Sequence, residues 1–246
     1  MPAVSLLFHD VYAKDPRESG FASDAADRYK LPVAAFDAHL EAIASVRNVP
    51  FLITVDDGGV SYYTRLAERL EARGWRGYCF VSTDQIGSRG FLDAAHIREL
   101  DARGHIIGSH SATHPTRFSA CSREQMQREW NVSRRALEDI LGHDVTIASV
   151  PGGYYSKAVA RSAGEAGLRL LFNSEPVTTR ADERGCTVAG RFTIRRGDPP
   201  QMSRRLLLPA PWTRWSAWTK WNAKGLVKPL LGPAYVRVAD LVAGHE

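Results

Sequence analysis

The sequence predicts an α/β fold in which helices cover a parallel sheet, either closed as a barrel or open and doubly wound. Two observations lead to this prediction. From residue 50 onward, short apolar runs alternate with amphipathic helical segments. Helix-capping residues and glycines separate these segments. In both architectures ligands bind at the carboxyl ends of the strands, so polar residues directly after an apolar run are candidates for chemistry.

Six apolar runs after residue 50 are short enough to be buried parallel strands. They cover residues 51–55, 78–81, 105–109, 145–149, 168–172 and, more weakly, 192–194. The intervening segments 63–74, 93–104, 122–142 and 156–167 have helical periodicity. The opening MPAVSLLFHDV is predicted to form a first strand and not a signal peptide, because no basic segment precedes its apolar run.

Composition indicates a soluble globular protein, since 44% of the 246 residues are apolar and 24% are charged. No run reaches the roughly 18 apolar residues of a membrane span. Cys79, Cys121 and Cys186 form neither a disulfide framework nor a metal knuckle, which favours a reducing cytoplasm.

The net charge of +5 lies entirely in the tail. Residues 1–202 hold 25 basic and 25 acidic residues, whereas residues 203–246 hold 7 basic and 2 acidic ones. A neutral body argues against nucleic-acid binding. We therefore divide the chain into a catalytic domain, 1–202, and a basic, tryptophan-rich helical tail, 203–246.

Polar residues follow several predicted strands. Asp56 and Asp57 end the run 51–55, and His110 and His114 follow the run 105–109. Two imidazoles and a carboxylate suit zinc or a similar divalent ion, with one position left open for water. A second carboxylate could take a proton from that water. Alone, each pair could equally be a turn or a polar loop, but their occurrence at two strand ends favours a metal site.

A glycine pair, Gly152 and Gly153, follows the run 145–149 in the segment PGGYY. Backbone N–H groups there could approach a developing oxyanion. A tight strand-to-helix turn explains the same glycines equally well.

These motifs resemble the polysaccharide deacetylase family, the NodB-homology carbohydrate esterases. Thr54-Val55-Asp56-Asp57-Gly58 is similar to the family's Thr-Phe-Asp-Asp-Gly motif, and the segment from His110 to His114 is similar to its His-(Ser/Thr)-x-x-x-His motif. The resemblance covers roughly residues 4–200. It implies a distorted (β/α) barrel and removal of an acetyl group from an N-acetyl sugar.

The resemblance also implies roles for individual residues. Asp57, His110 and His114 would bind the metal, which is most simply zinc, with cobalt, nickel or manganese as alternatives. Asp56 would be the general base. The N–H of Gly152 would stand at the oxyanion hole.

The later family motifs are altered in this chain. Ser149 stands where the family has an arginine that steadies the base. The segment 173–176, Asn-Ser-Glu-Pro, replaces a motif that contains aspartate. The family's late acid histidine has no counterpart, since the only histidine after residue 143 is His245.

Two explanations remain for these departures. In the favoured one, Arg195 or Arg196 replaces the missing arginine in space and contacts Asp56 or the substrate. A guanidinium does not readily release a proton, so the proton for the leaving amine would come through the metal-bound water, His9 or Glu175. We also expect His9, Asp10, Tyr154 and Glu175 to line the substrate site. In the other explanation the domain binds sugar without hydrolysing it.

The tail places four tryptophans three residues apart, at positions 212, 215, 218 and 221. On a helix they sweep about half of the circumference, and the other half receives lysines 220, 224 and 228. This layout is typical of an interfacial membrane helix. The alternative is a helix that packs its tryptophans on the barrel.

The sequence thus predicts a metal-dependent N-deacetylase that acts on an amino sugar in a polysaccharide or a lipid-linked precursor, as in exopolysaccharide biosynthesis. We expect it in the cytoplasm, with residues 205–246 able to contact the inner membrane face. The alternatives are another amide or formyl C–N hydrolase on the same fold and a carbohydrate-binding pseudo-enzyme.

Overall fold

A computed structural model describes residues 3–208, 212–219 and 221–222. A curled, mostly parallel sheet forms a half-barrel with helices packed on its outside. The strands of the described residues are β1 (Val4–Phe8), β2 (Val11–Tyr12), β3 (Leu31–Pro32), β4 (Phe51–Val55), β5 (Tyr78–Val81), β6 (Ile106–Ser109), β7 (Ile147–Ser149), β8 (Leu170–Phe172), β9 (Arg180–Glu183), β10 (Cys186–Ala189) and β11 (Phe192–Thr193).

The longer helices surround this sheet and pack their apolar faces against it. They are α1 (Asp24–Asp27), α2 (Val33–Ala44), α3 (Ala67–Glu71), α4 (Ala94–Ala102), α5 (Arg123–Leu141), α6 (Lys157–Glu165) and α7 (Pro200–Leu207). A π-helical segment, Tyr62–Leu66, leads into α3. Residues 212–219 and 221–222 are also helical.

The main sheet has nine strands in the order β11-β1-β4-β5-β6-β7-β8-β10-β9. Every neighbouring pair is parallel except β10 with β9. The strands β1 and β4 to β8 therefore end at one edge of the half-barrel, where parallel α/β folds bind their ligands. Strands β10 and β11 lie on the two sides of the opening of the half-barrel, and the two residues Gly190 and Arg191 connect them.

The fold class predicted from the sequence is confirmed. All six predicted strands after residue 50 are present, although β7 and β8 begin two residues later than expected. Helices α2 and α7 and the antiparallel β9–β10 pair were not predicted. Strand β9 is largely exposed, so its sequence lacks the apolar run of a buried strand.

Helix α7 runs across the domain boundary predicted between residues 202 and 203. Its Ser203, Leu206 and Leu207 are buried, and the Ser203 hydroxyl is 2.8 Å from His39 Nδ1 on α2. The first residues assigned to the tail therefore pack as part of the body.

The helical residues after α7 contact the body through Ala217, which packs against the core, and through Arg214. The guanidinium of Arg214 donates hydrogen bonds to the carbonyl oxygens of Leu206 and Leu207. Trp212, Trp215 and Trp218 are 77%, 57% and 41% exposed. The predictions for Lys220 and for residues 223–246, including Lys224 and Lys228, lie outside the described residues. Among the described residues, no helix is both long and apolar enough to cross a membrane.

Candidate active site

Three side chains converge at the carboxyl edge of the half-barrel. Asp57 Oδ1 lies 3.4 Å from His110 Nε2 and 3.5 Å from His114 Nε2. One ligand atom from each of the three residues lies within 4.8 Å of the ligand atoms of the other two. The structure thus brings together the three residues predicted to bind a metal.

The backbone at these positions is unusual for residues with side chains. Asp57, Ser111 and His114 have positive φ angles of 79°, 64° and 56°. Such conformations are unfavourable for residues other than glycine and persist where the surroundings impose them, often at functional sites. The turn that Asp56-Asp57-Gly58 suggests in the sequence therefore exists, and it aims the carboxylates into the site.

A hydrogen bond fixes the orientation of the His110 ring. Its Nδ1–H donates to the carbonyl oxygen of Ser149, at 3.0 Å, on the adjacent strand β7. In the neutral form of the ring this bond leaves the lone pair of Nε2, which faces Asp57, available to a metal. A histidine that binds a metal commonly has this kind of outer partner.

The three donors fit a divalent metal. Two ligand atoms bound to tetrahedral zinc at about 2.0–2.1 Å lie roughly 3.3 Å apart, and the separations from Asp57 are 3.4 and 3.5 Å. Burial acts to raise the pKa of Asp57, but its contacts with His110 and His114 outweigh this and hold the pKa well below its usual value. The carboxylate is thus ionised, as a metal ligand must be.

Asp56 is held by an arginine that the sequence analysis did not identify. Arg191 Nη1 donates to Asp56 Oδ1 at 2.7 Å, and Nη2 donates to Oδ2 at 2.8 Å. Ser149 joins them, because its hydroxyl accepts from Arg191 Nη2 at 2.7 Å and donates to Asp56 Oδ2 at 3.0 Å. Burial acts to raise the pKa of Asp56, but the charge and hydrogen bonds of Arg191, together with the charges of His110 and His9, outweigh it and lower the pKa.

Arg191 lies fully buried inside the half-barrel. Its Nε donates to the carbonyl oxygen of Asn173, at 3.0 Å, and Nη1 also reaches the Thr54 hydroxyl, at 3.3 Å. The guanidinium carbon lies 5.7 Å from the ring centres of both Phe80 and Phe172. An arginine can be buried in this way because its N–H groups are all hydrogen-bonded and its charge is paired with Asp56.

The hypothesis that Arg195 or Arg196 contacts Asp56 is therefore corrected. The contact belongs to Arg191, which precedes β11, whereas Arg195 and Arg196 follow it. Arg195 stacks on Tyr29 at 5.3 Å, and Arg196 stacks on Tyr12 at 5.2 Å. A substrate contact of either arginine stays a prediction.

A sequence signal for Arg191 did exist. It is the only charged residue in the apolar run 186–194, CTVAGRFTI. A charge in the middle of such a run is usually paired. However, its partner Asp56 lies 135 residues earlier in the sequence. Only the folded structure, in which the chain crosses the opening of the half-barrel at Arg191, shows that the two side chains meet.

His9 follows β1 at the same edge of the sheet. Its ring packs 5.0 Å from that of Tyr29, and its Nδ1 is buried without a hydrogen-bond partner among the described residues. Burial lowers the pKa of His9, although the charges of Asp57 and Asp56 oppose this. A buried ring nitrogen without a protein partner is free to bond to a ligand or to water.

Asp10 follows His9 directly and is buried, and its contact with substrate stays a prediction. It is 2% exposed, and its Oδ1 accepts hydrogen bonds from the hydroxyls of Ser19 and Ser61. Burial raises the pKa of Asp10 to about 6. These two bonds join the segment after β2 to the turn before α3. The carboxylate also lies where Cβ atoms at Gly20 or Gly59 would be.

The remaining predicted residues lie in loops after β7 and β8. Gly152 has a φ of 60° in the short 3₁₀ turn Pro151–Gly153, and a Cβ there would lie 3.2 Å from the ring of Tyr154. The carbonyl oxygen of Glu175 accepts from the N–H of Arg191 at 2.9 Å. The oxyanion role of Gly152 and the substrate roles of Tyr154 and Glu175 stay predictions.

Comparison with known proteins agrees with this architecture. The sequence model of the polysaccharide deacetylase family matches residues 46–171, about half of the chain. The chain therefore belongs to the polysaccharide deacetylase family. The matched range includes Asp56, Asp57, His110 and His114 but ends before Arg191.

The Bacillus subtilis (strain 168) protein YxkH, whose name places it among the polysaccharide deacetylases, is 26% identical over 132 residues. This match covers 54% of the present chain and 47% of YxkH, so the chain spans about half the length of that relative.

Two solved structures share the fold. The deacetylase PplD of Streptococcus pyogenes, solved with acetate, has a TM-score of 0.70 at 17% identity and covers 85% of this chain and 99% of its own. IcaB from Ammonifex degensii has a TM-score of 0.66 at 18% identity and covers 84% of this chain and 97% of its own. The two likenesses support the (β/α)-barrel class.

Proposed function

We propose that this protein is a metal-dependent hydrolase that removes N-acetyl groups from amino sugars in a polysaccharide or a lipid-linked glycan. Membership of the polysaccharide deacetylase family implies N-deacetylation of a carbohydrate. The observation that carries the proposal is the arrangement of Asp57, His110 and His114 beside Asp56, which Arg191 keeps ionised and fixed in place.

Asp57, His110 and His114 would hold the metal, and zinc suits this set of one carboxylate and two imidazoles. Cobalt, nickel and manganese are alternatives with the same ligand types. When bound, such a metal polarises the acetyl carbonyl and makes water a better nucleophile at neutral pH.

The protein's own groups would move the protons. Asp56 takes a proton from the attacking water as a new C–O bond forms at the acetyl carbon. The Gly152 N–H donates to the carbonyl oxygen as charge develops there. The C–N bond then breaks as the sugar nitrogen receives a proton, and acetate and the free amine are released.

His9 is the candidate donor of that last proton. It lies at the same sheet edge, it has a buried nitrogen without a protein partner, and the charges of Asp56 and Asp57 act on it. A lowered pKa makes the protonated ring a stronger acid. Glu175 remains the alternative source of the proton.

Acetate release from N-acetylglucosamine oligomers tests the activity. The metal-stripped protein should be inactive, and added zinc should restore turnover. N-formyl and N-propionyl analogues in the same assay define the acyl group. A zinc-loaded protein that binds these oligomers without releasing acetate would contradict a hydrolase and favour a sugar-binding protein.

We further propose that the tail contacts an anionic membrane surface, which would bring the site to lipid-linked substrates at the cytoplasmic face. Three exposed tryptophans support this, as does the net charge of +5, all of which lies in residues 203–246. Flotation with phosphatidylglycerol-containing vesicles tests it, by comparing the wild type with a variant in which Trp212, Trp215 and Trp218 become alanine. Val132→Ala, at a 51% exposed site on α5, is the matched control. Equal flotation of all three proteins would rule the contact out.

A further inference from the structure

Side chains accept the backbone N–H groups of residues 111–114, and the carbonyl oxygens of Ser111 and Ala112 accept from the N–H groups of Thr83 and Asp84. The N–H groups of residues 111–114 donate, in order, to Ser109 Oγ, Glu129 Oε2, Glu129 Oε2 and Ser111 Oγ. Four consecutive amides thus have side-chain acceptors, and one carboxylate accepts two of them.

Glu129, on helix α5, accepts more of the hydrogen bonds from this segment than any other side chain does. Its Oε2 accepts from the N–H groups of Ala112 and Thr113 at 3.0 and 2.8 Å, and its Oε1 accepts from the Thr113 hydroxyl at 2.7 Å. The residue is 6% exposed on helix α5. A buried carboxylate is costly to desolvate unless hydrogen bonds satisfy it, and these three bonds do so.

The held segment needs such support. Ser111 and His114 have positive φ angles, a conformation that is unfavourable for residues other than glycine. Without acceptors for the amides of Ala112 and Thr113, the segment could relax toward ordinary backbone angles. His114 would then move relative to His110, whose own ring is fixed separately by Ser149.

We propose that Glu129 is a positioning residue that sets the place of His114 relative to His110 and so determines the affinity of this site for its metal. It touches neither histidine side chain in any contact that the structure shows; it acts through the backbone of residues 112 and 113. This inference rests on the proposed function only in that the three-residue site binds a divalent metal.

The test compares the Zn²⁺ Kd of the wild type with that of Glu129→Gln, measured by competition with a chromophoric chelator. Glutamine keeps the shape but replaces one acceptor oxygen with a donor, which would face an N–H group or the Thr113 hydroxyl. Loss of an outer hydrogen-bond partner typically weakens metal binding about 10- to 100-fold, and we expect a loss in that range. Asp139→Asn removes the same charge from an exposed position of the same helix and should bind as the wild type does.

A second variant covers the case in which Glu129→Gln does not fold. Thr113→Val, at an exposed position, removes the hydroxyl bond to Glu129 and leaves both backbone bonds; its Kd should rise by a smaller factor. The Co²⁺ absorption spectrum of each folded variant should also differ from that of the wild type, because it reports ligand geometry.

Wild-type Kd and Co²⁺ spectra in both variants would overturn the role of Glu129. The readout is independent of catalysis. If the wild type binds zinc and Glu129→Gln weakens that binding, the inference stands even where no acetate is released, and only the proposed reaction fails.

Discussion

Arg191 and Asp56 form a buried two-point ion pair, with Nη1–Oδ1 and Nη2–Oδ2 distances of 2.7 and 2.8 Å. The arginine comes from the junction that crosses the opening of the half-barrel, and the aspartate ends β4. Parallel, charge-assisted bonds of this kind fix the plane of a carboxylate as well as its charge. The candidate base is thus oriented by a residue that is 135 positions away in the sequence.

Arg191→Lys should disable the base. A lysine cannot make the two parallel bonds, so we expect turnover to fall by at least about 100-fold, within the range for general-base catalysis. The pKa of Asp56, lowered mainly by Arg191 against the effect of burial, should rise. Since the base works only when ionised, the acidic limb of the pH–rate profile should move to higher pH.

The control for this variant is Arg195→Lys, at a position that stacks on Tyr29 outside the pair. It should leave the acidic limb unchanged. Urea unfolding should also show a loss of about 3–5 kcal/mol for Arg191→Leu, because that change leaves the Asp56 carboxylate buried without its partner. Unchanged kinetics in Arg191→Lys would contradict the role assigned to the pair.

Asp56→Asn and Asp57→Asn should fail in different ways. The first removes the proposed base, so acetate release should fall by about 10²- to 10⁴-fold while Zn²⁺ affinity stays within a few-fold of wild type. The second removes a proposed ligand, so metal content after gel filtration should fall as well. Full zinc retention by Asp57→Asn would refute its role as a metal ligand. Full activity of Asp56→Asn would refute its role as the general base.

His9→Asn separates proton donation from other roles. An amide needs a proton on its leaving nitrogen, whereas an activated aryl acetate has a leaving group that departs unaided. The variant should lose most of its amide hydrolysis and keep its aryl ester hydrolysis, whereas Asp56→Asn should lose both. Equal losses on the two substrates would assign His9 to binding or folding and leave Glu175 as the donor.

Asp10 should make stability depend on pH between about 4 and 6. Burial raises its pKa from 3.8 to about 6, so over this range the folded protein holds a proton that the unfolded chain has released. The free energy of unfolding should therefore decrease as pH rises through this window, by up to about 3 kcal/mol. Asp10→Asn should lack this component in urea titrations at several pH values; parallel curves for both proteins would contradict it.

The helices and strands that surround the site could largely be predicted because they depend on local patterns. The runs 51–55 and 78–81 match β4 and β5 at both ends, since a buried parallel strand requires continuous apolar residues. The helical segments predicted to start at residues 93, 122 and 156 do begin there, because the side chains of Asp93, Ser122 and Ser156 accept backbone N–H bonds at the starts of α4, α5 and α6. Strand β9 was missed because its exposed side chains leave no such pattern.

The sequence by itself determined the α/β class and the family. It also singled out the five side chains at strand ends, His9, Asp56, Asp57, His110 and His114, because parallel strands gather such residues at one edge. Only the tertiary structure decided that Arg191, and not Arg195 or Arg196, holds Asp56. It also decided that the buried Asp10 binds the hydroxyls of Ser19 and Ser61, and that Glu129 accepts the N–H groups of residues 112 and 113. These contacts join residues distant in sequence, and a buried charge has no local periodicity; its partner becomes evident only when the curled sheet brings the two together.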